Sequence, residues 1–433
     1  MTAPATPPQR RVDYLLIGGG LASATAAEEI RKRDASGSIL IVASERHAPY
    51  HRPPLSKEYL RGEIEPDGTY GAGGVYVQLP PWYGEQRVET LQGAPVSRLD
   101  TAAKTATLAN GEIIGYGKAL IATGGRARAL NIPGATLPGV MTLRTLDDAT
   151  AIRERLATPG LRVVVIGSGF IGLEAASNAL FKGAASVTIV DLVKRAWPGM
   201  LTDDLSAWLQ GEFMARGASF YFDHAPSAFI AGPDGRVAAV RITASDGSGS
   251  PLDLPADLAL VGVGIQLNTE VASASGINVD PRHGVMVDNH LHTSAPDVWA
   301  AGDIAAYPDP VMGRFHFEHW DNAISSGQTA AANMTGGDEC YTHVPYFFSD
   351  QFDLALNMLG YPSPDAEVTI RSHMASHAFT AVFVRDGVIR AALMVNDDAQ
   401  MDAWRDAIAA GAKAPDSETL ASSDFDPATL TQG

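Results

Sequence analysis

Cysteine is all but missing from this chain: Cys340 is the single example in 433 residues. One thiol can form neither an intrachain disulfide nor a cysteine-rich metal site, and it rules out a redox-active dithiol relay within the chain. The same scarcity makes cytoplasmic residence the expectation. Basic residues are the next shortage, with 32 Lys and Arg against 49 Asp and Glu and a formal net charge of −17. Nucleic acid is therefore excluded as a partner, because its phosphates demand clustered cations. Long apolar runs are missing as well. No stretch approaches the ~20 residues of a membrane span, and the Pro- and Thr-rich residues 1–11 lack the apolar core of a secretory signal. Eleven histidines are present, but none is spaced as a helical zinc pair around an acid. No metal is expected, and His290 and His292 read as surface residues of a strand.

Glycine is abundant, and its placement is the informative feature. Gly18-Gly19-Gly20 follows the apolar run Tyr14 to Ile17, and Gly167-Ser168-Gly169 follows Val163 to Ile166. Each cluster ends a buried strand and opens a helix, Ala22 to Arg33 in one case and Ile171 to Phe181 in the other. Glycine at these positions lets backbone N–H groups at a helix N-terminus reach a pyrophosphate. One such fingerprint is weak evidence, whereas a matched pair predicts that the chain holds two dinucleotides. In the first, Gly18 and Gly20 are followed by Ser23 where a third glycine is usual, with Ala22 beside it; in the second, Gly167, Gly169 and Gly172 are in full register.

Both units continue into a second strand with an acid near its end. Ile39 to Val42 leads to Ser44 and Glu45, which suit a ribose hydroxyl pair, although Glu45 also reads as a solvated loop carboxylate. Val187 to Val190 ends in Asp191, whose charge would repel a 2′-phosphate, so NADH is favoured over NADPH; Lys194 and Arg195 keep the phosphorylated form open. Glu174, in the first turns of its helix, is either simple dipole electrostatics or half of a buried pair with Lys57. Further expected strands are Ala106 to Leu108, Arg236 to Thr243, Leu258 to Val263 and Val298 onward, with a helix from Asn322 to Met334 and a hairpin from Phe379 to Val395.

Taken together, Arg52-Pro53-Pro54-Leu55-Ser56-Lys57, Ile121 to Gly125, Gly167 to Glu174, Ala301-Gly302-Asp303 and Pro345 to Gln351 resemble the FAD-dependent ferredoxin reductases of Rieske-dioxygenase and bacterial P450 chains. Apoptosis-inducing factor belongs to the same superfamily. The resemblance implies an α/β protein with two Rossmann-like dinucleotide-binding domains, for FAD and NADH, and a C-terminal α+β domain. It places the FAD domain at 12–125 and 256–332, the NADH domain at 126–255 and an interface domain at 333–415. Residues 1–11 and the polar, acidic stretch 417–433 read as without fixed structure. The same resemblance assigns the site residues. For FAD it implies Arg52, Ala122, Thr123, Gly124, Arg128, Gly302, Asp303 on the ribityl chain and Trp320 near the flavin ring, though Trp320 also reads as core packing. For the nicotinamide dinucleotide it implies Gly169, Ile171, Glu174, Asp191, Arg195 and Gly264. Lys57, paired with Glu174, and Trp320 become the residues expected to serve the reaction.

The activity so implied is electron transfer from NADH through FAD to a ferredoxin-type iron–sulfur protein, by a monomer or homodimer. Gln266 and Phe348 stand where these reductases often carry arginine and tryptophan, which bears on the side that meets the partner. Two other readings stay open. One is an NADH oxidoreductase for a small acceptor such as a quinone, monodehydroascorbate or oxygen. The other is a flavoprotein that responds to NADH as apoptosis-inducing factor does.

Overall fold

The computed structural model describes residues 8–432. The chain divides into two compact units. One takes in the chain up to His51, Glu65–Arg126 and Gln266–His343; the other takes in Arg52–Ile64, Ala127–Ile265 and the chain from Val344 onward.

The first unit is built on a seven-stranded sheet in the order Val88–Leu91, Ile39–Val42, Arg10–Ile17, Ile113–Ile121, Thr105–Leu108 and Val96–Asp100, with Val298–Ala300 also paired to Ile113–Ile121. Ile39 to Val42 are all buried, as a strand covered on both faces requires. The four central strands are parallel, and their register aligns Ile17 with both Val42 and Ile121, and Ile121 with Ala300. Helix Leu21–Arg33 follows the first fingerprint and packs on helix Trp320–Met334. Small residues make that contact close: a Cβ added to Gly327 would lie 2.7 Å from the Ala22 carbonyl oxygen.

The second unit repeats the plan. Its parallel sheet runs Ala218–Tyr221, Ser186–Val190, Arg162–Ile166, Leu258–Val261, Val140–Thr142. Ile166 is aligned with Val190 and Val261, so these strands also end together. A three-stranded antiparallel sheet, His224–Ala231, Val237–Ala244 and Leu252–Pro255, is added to it. From Tyr346 the chain forms a five-stranded antiparallel sheet whose core includes Val382, Ala392, Met394 and Trp404.

Three expectations are corrected. The segment 256–265 belongs with the second parallel sheet, because Leu258–Val261 pairs with Arg162–Ile166; the strand stops at Val261, and Gly264 turns with φ +87°. The loop Arg52–Ile64 falls in the second unit, where an FAD domain at 12–125 would have put it in the first. Residues 417–432 are ordered: Ser417–Ala421 is a helix, Pro427–Thr431 a 3₁₀ turn, and Leu420 is buried. The acidic composition that suggested a loose tail covers only its exposed face. Residues 10 and 11 already belong to the first strand, while 1–7 and 433 lie outside the described residues. Among the described residues no helix is long and apolar enough to cross a membrane.

Candidate functional site

Strand register gathers the sequence motifs. In the first unit Gly18, Ala43-Ser44-Glu45, Ala122-Thr123-Gly124 and Ala301-Gly302-Asp303 all follow the carboxyl ends of adjacent parallel strands, where open α/β sheets bind ligands. Gly18 has φ +124°, and a Cβ there would lie 2.1 Å from the Ala122 carbonyl oxygen, so only glycine allows this crossing. Gly20 is the reverse case: nothing lies within 4 Å of an added Cβ, and as N-cap it offers no side chain to the first helical N–H groups. Those donors are left for a ligand. Ser23, in the third fingerprint position, is fully buried, and its Oγ has no hydrogen-bond partner among the described residues.

Flanking groups hold this edge. Tyr50 donates its hydroxyl to the Glu45 carboxylate. Thr123 donates to the Asn268 carbonyl at 2.8 Å, and Asn268 Nδ2 returns a 2.8 Å bond to the Thr123 carbonyl. The Gly302 N–H donates to Ser326 Oγ at 2.8 Å and starts the one-turn 3₁₀ helix that carries Asp303. Trp320 opens the last helix of the unit and donates from Nε1 to His51 Nδ1 at 2.7 Å, with the Tyr70 ring tilted by 37° against the His51 ring at a centroid distance of 4.8 Å. Burial lowers the His51 pKa from 6.5 to about 4, which keeps the imidazole a neutral acceptor. His319, just before Trp320, is also lowered to about 4 by burial. Asn268, His51 and Tyr70 belong to no motif, and sequence reading passed over them.

The second unit shows the same fingerprint geometry. A Cβ on Gly167 would lie 2.3 Å from the Gly262 carbonyl oxygen, and one on Gly172 would lie 1.9 Å from that of Gly167, whereas Gly169 has open space around it. These are the close turn, the helix–strand contact and the ligand-facing position in that order. Asp191 is held against the loop by the N–H and Oγ of Ser168 at 2.6 and 2.7 Å. Ile171 is exposed at the mouth of the helix. Arg128 sits beside Gly264, bonding that residue's carbonyl through its own backbone N–H at 3.0 Å and the Ile265 carbonyl through its guanidinium at 3.1 Å. Arg195 is engaged by Asp203 at 2.7 Å and by the Leu201 carbonyl at 2.9 Å. Arg52 donates to the Arg144 carbonyl.

Lys57 and Glu174 do form a buried pair. Nζ lies 2.8 Å from Oε1, with the two side chains 3% and 2% exposed. Pro53 and Pro54 start the short 3₁₀ turn that delivers Lys57, a place where their missing N–H groups are not needed. Ser349 Oγ donates to the same Glu174 oxygen at 2.6 Å, and Ser56 Oγ donates to the other. Asn178 fastens the two segments through Nδ2, to the Ser56 carbonyl at 2.5 Å and the Glu174 carbonyl at 2.8 Å. The Phe348 ring faces the ammonium at 5.1 Å. Burial raises the pKa of neighbouring Asp350, a shift opposed by Lys57 and reinforced by Glu174.

These residues fit the two coenzymes. Both fingerprints expose helix N–H groups where an added Cβ would meet nothing, and both place an acid at the next strand end. The Lys57 ammonium has three N–H bonds and one described hydrogen-bond acceptor, Glu174, so donors remain on it. Among the described residues no cluster of His, Cys, Asp or Glu could hold a metal, and Cys340 is exposed.

The pyridine nucleotide-disulphide oxidoreductase model matches residues 12–327, and the reductase C-terminal model matches 346–430. The ferredoxin–NAD(+) reductase component of the anthranilate 1,2-dioxygenase system of Burkholderia cepacia is 35% identical, over 94% of this chain and 96% of its own. The ferredoxin reductase for the CYP199A2 system of Rhodopseudomonas palustris superposes with a TM-score of 0.87 at 32% identity, over 96% of this chain and 99% of that one. The covalent putidaredoxin reductase–putidaredoxin complex gives a TM-score of 0.87 at 28% identity, covering 97% and 98%.

Proposed function

The chain belongs to the pyridine nucleotide-disulphide oxidoreductase family, and from that premise we propose that it is an FAD-containing, NADH-dependent reductase that passes electrons to a ferredoxin-type iron–sulfur protein. The observation that carries this reading is a pair of dinucleotide fingerprints, each at the carboxyl edge of its own parallel sheet, in a chain with one cysteine. With no second thiol, the dithiol relay after which the family is named cannot operate within this chain. Relatives that span nearly its whole length are reductases of ferredoxins.

Gly18, Gly20, Ala22, Ser23, Ser44, Glu45, Ala122, Thr123, Gly124, Gly302 and Asp303 would hold FAD, with Arg52, Arg128 and Trp320. Gly167, Gly169, Ile171, Gly172, Asp191, Arg195 and Gly264 would hold the nicotinamide dinucleotide, and the Asp191 carboxylate favours the form without a 2′-phosphate. FAD supplies the chemistry that joins a two-electron hydride donor to a one-electron acceptor. The residues bind and orient. Lys57 keeps a positive charge at the flavin, where negative charge develops on reduction, and Glu174 fixes the position of that charge and compensates it. Trp320, oriented by its bond to His51, presents a rigid aromatic face beside the ring. We place the reaction in the cytoplasm, where a lone exposed thiol stays reduced.

Stopped-flow mixing tests this directly. Protein loaded with FAD should be reduced by NADH far faster than by NADPH, and should then be reoxidised by a 2Fe–2S ferredoxin faster than by quinone or oxygen. Reoxidation by a small acceptor alone would make it an oxidoreductase of that kind. Slow reoxidation with an NADH-dependent change in size would make it an NADH-responsive flavoprotein.

A further inference from the structure

Glu174 receives more donors than its pairing with Lys57 requires. Strand Tyr346–Gln351 alternates in burial, and its buried face carries Phe347, Ser349 and Gln351. Ser349 Oγ lies 2.6 Å from the same Glu174 oxygen that takes Lys57 at 2.8 Å. An ionised carboxylate has no proton to give, so the serine hydroxyl is the donor; Gln351 Nε2, 3.0 Å from Ser349 Oγ, must then donate to it. The hydrogens run one way, from Gln351 to Ser349 to Glu174. Gln351 is fully buried, and its Oε1 has no partner among the described residues, an arrangement that stability alone would not favour.

The chain of donors has an electrostatic consequence. Each hydrogen bond to the carboxylate draws its charge away from the ammonium, and in a buried site such effects are poorly screened. We infer that Ser349, oriented by Gln351, is a positioning residue that governs how much of the Lys57 charge remains available to the flavin, so that a strand of the C-terminal sheet tunes the coenzyme's reduction potential. The inference rests on the assignment of Lys57 to the flavin made above.

The test is the midpoint potential of FAD in the full-length loaded protein, measured by dye equilibration. Ser349→Ala should move the equilibrium about tenfold toward the oxidised form, a potential about 30 mV lower for a two-electron couple. Ser349→Thr, which keeps a hydroxyl, should retain the original value. Gln351→Leu, which keeps Ser349 but frees its rotor, should shift the potential in the same direction by less, and it serves the test alone if Ser349→Ala does not fold. A potential unchanged in Gln351→Leu, or in folded Ser349→Ala, overturns the inference if Lys57→Met still shifts it. A Lys57→Met potential equal to the original removes the premise instead, and failure of any ferredoxin to be reduced while the shifts occur counts against the proposed function alone.

Discussion

Trp320 donates its indole N–H to Nδ1 of a partly buried, neutral His51 at 2.7 Å. A protonated imidazole would present a second donor to the indole and break the contact, so the pair is intact only while His51 is uncharged.

That relationship gives a pH dependence. The folded pKa of about 4 lies below the ordinary 6.5, so the folded state binds fewer protons in this window. Stability from this group is fully present above pH 6.5 and is lost as pH falls from 6.5 through 4, by about 3 kcal/mol. His319 is shifted the same way and adds to the slope. Denaturant unfolding of the original chain and His51→Asn at pH 7, 5 and 4 should show a shallower decline in the variant. Parallel curves would refute the assignment.

The Lys57–Glu174 pair should behave as a unit. Lys57→Met strands a buried carboxylate and should cost about 3–5 kcal/mol, with flavin reduction by NADH slowed; Lys57→Met with Glu174→Leu should recover most of the stability without the rate. Chemical denaturation of the two single variants and the double variant, alongside stopped-flow reduction, checks both. Additive losses would mean that the pair is not coupled.

Gly169 and Gly172 should separate binding from folding. Gly169→Ala adds a methyl to open space, so its melting temperature should hold while KM for NADH rises. In Gly172→Ala the new Cβ falls 1.9 Å from a backbone oxygen, and the protein should lose several degrees of melting temperature or fail to fold. Equal thermal effects from the two substitutions would contradict the fingerprint geometry.

Asp191→Ala should weaken NADH use about tenfold or more, the value of losing a charge-assisted hydrogen bond, while NADPH use holds or improves. Ser168→Ala, which removes one of the Asp191 anchors, should give a smaller change of the same sign. The ratio of kcat/KM for the two nucleotides is the measurement, and an unaltered ratio in Asp191→Ala would take the carboxylate out of the ribose site.

Arg371 clamps the C-terminal segment. Its guanidinium donates to the Leu420 carbonyl at 3.1 Å and the Phe425 carbonyl at 2.9 Å, and it lies against the Trp404 and Phe425 rings. Arg371→Leu should cost about 2–3 kcal/mol and open residues near 420–432 to protease. Unchanged cleavage kinetics would show that other contacts hold the segment.

Local pattern and tertiary pairing divided this protein between them. Gly18, Gly20, Gly167, Gly169 and Gly172 could be recognised in the chain because each is demanded by backbone geometry within a few residues, and the apolar strands before them because a parallel strand buried on both faces must be continuously apolar. The single cysteine settled the question of a dithiol relay without any coordinates. Asn268 on Thr123, His51 under Trp320 and Ser349 on Glu174 were decided only when strands and helices far apart in the chain came together. The placement of 256–265 and the ordered 417–432 segment belong with them, since strand partners and a buried Leu420 leave no mark on local sequence. Backbone turns and burial periodicity are short-range constraints written residue by residue, whereas the partner of a buried polar group is whichever side chain the packed fold brings within 3 Å.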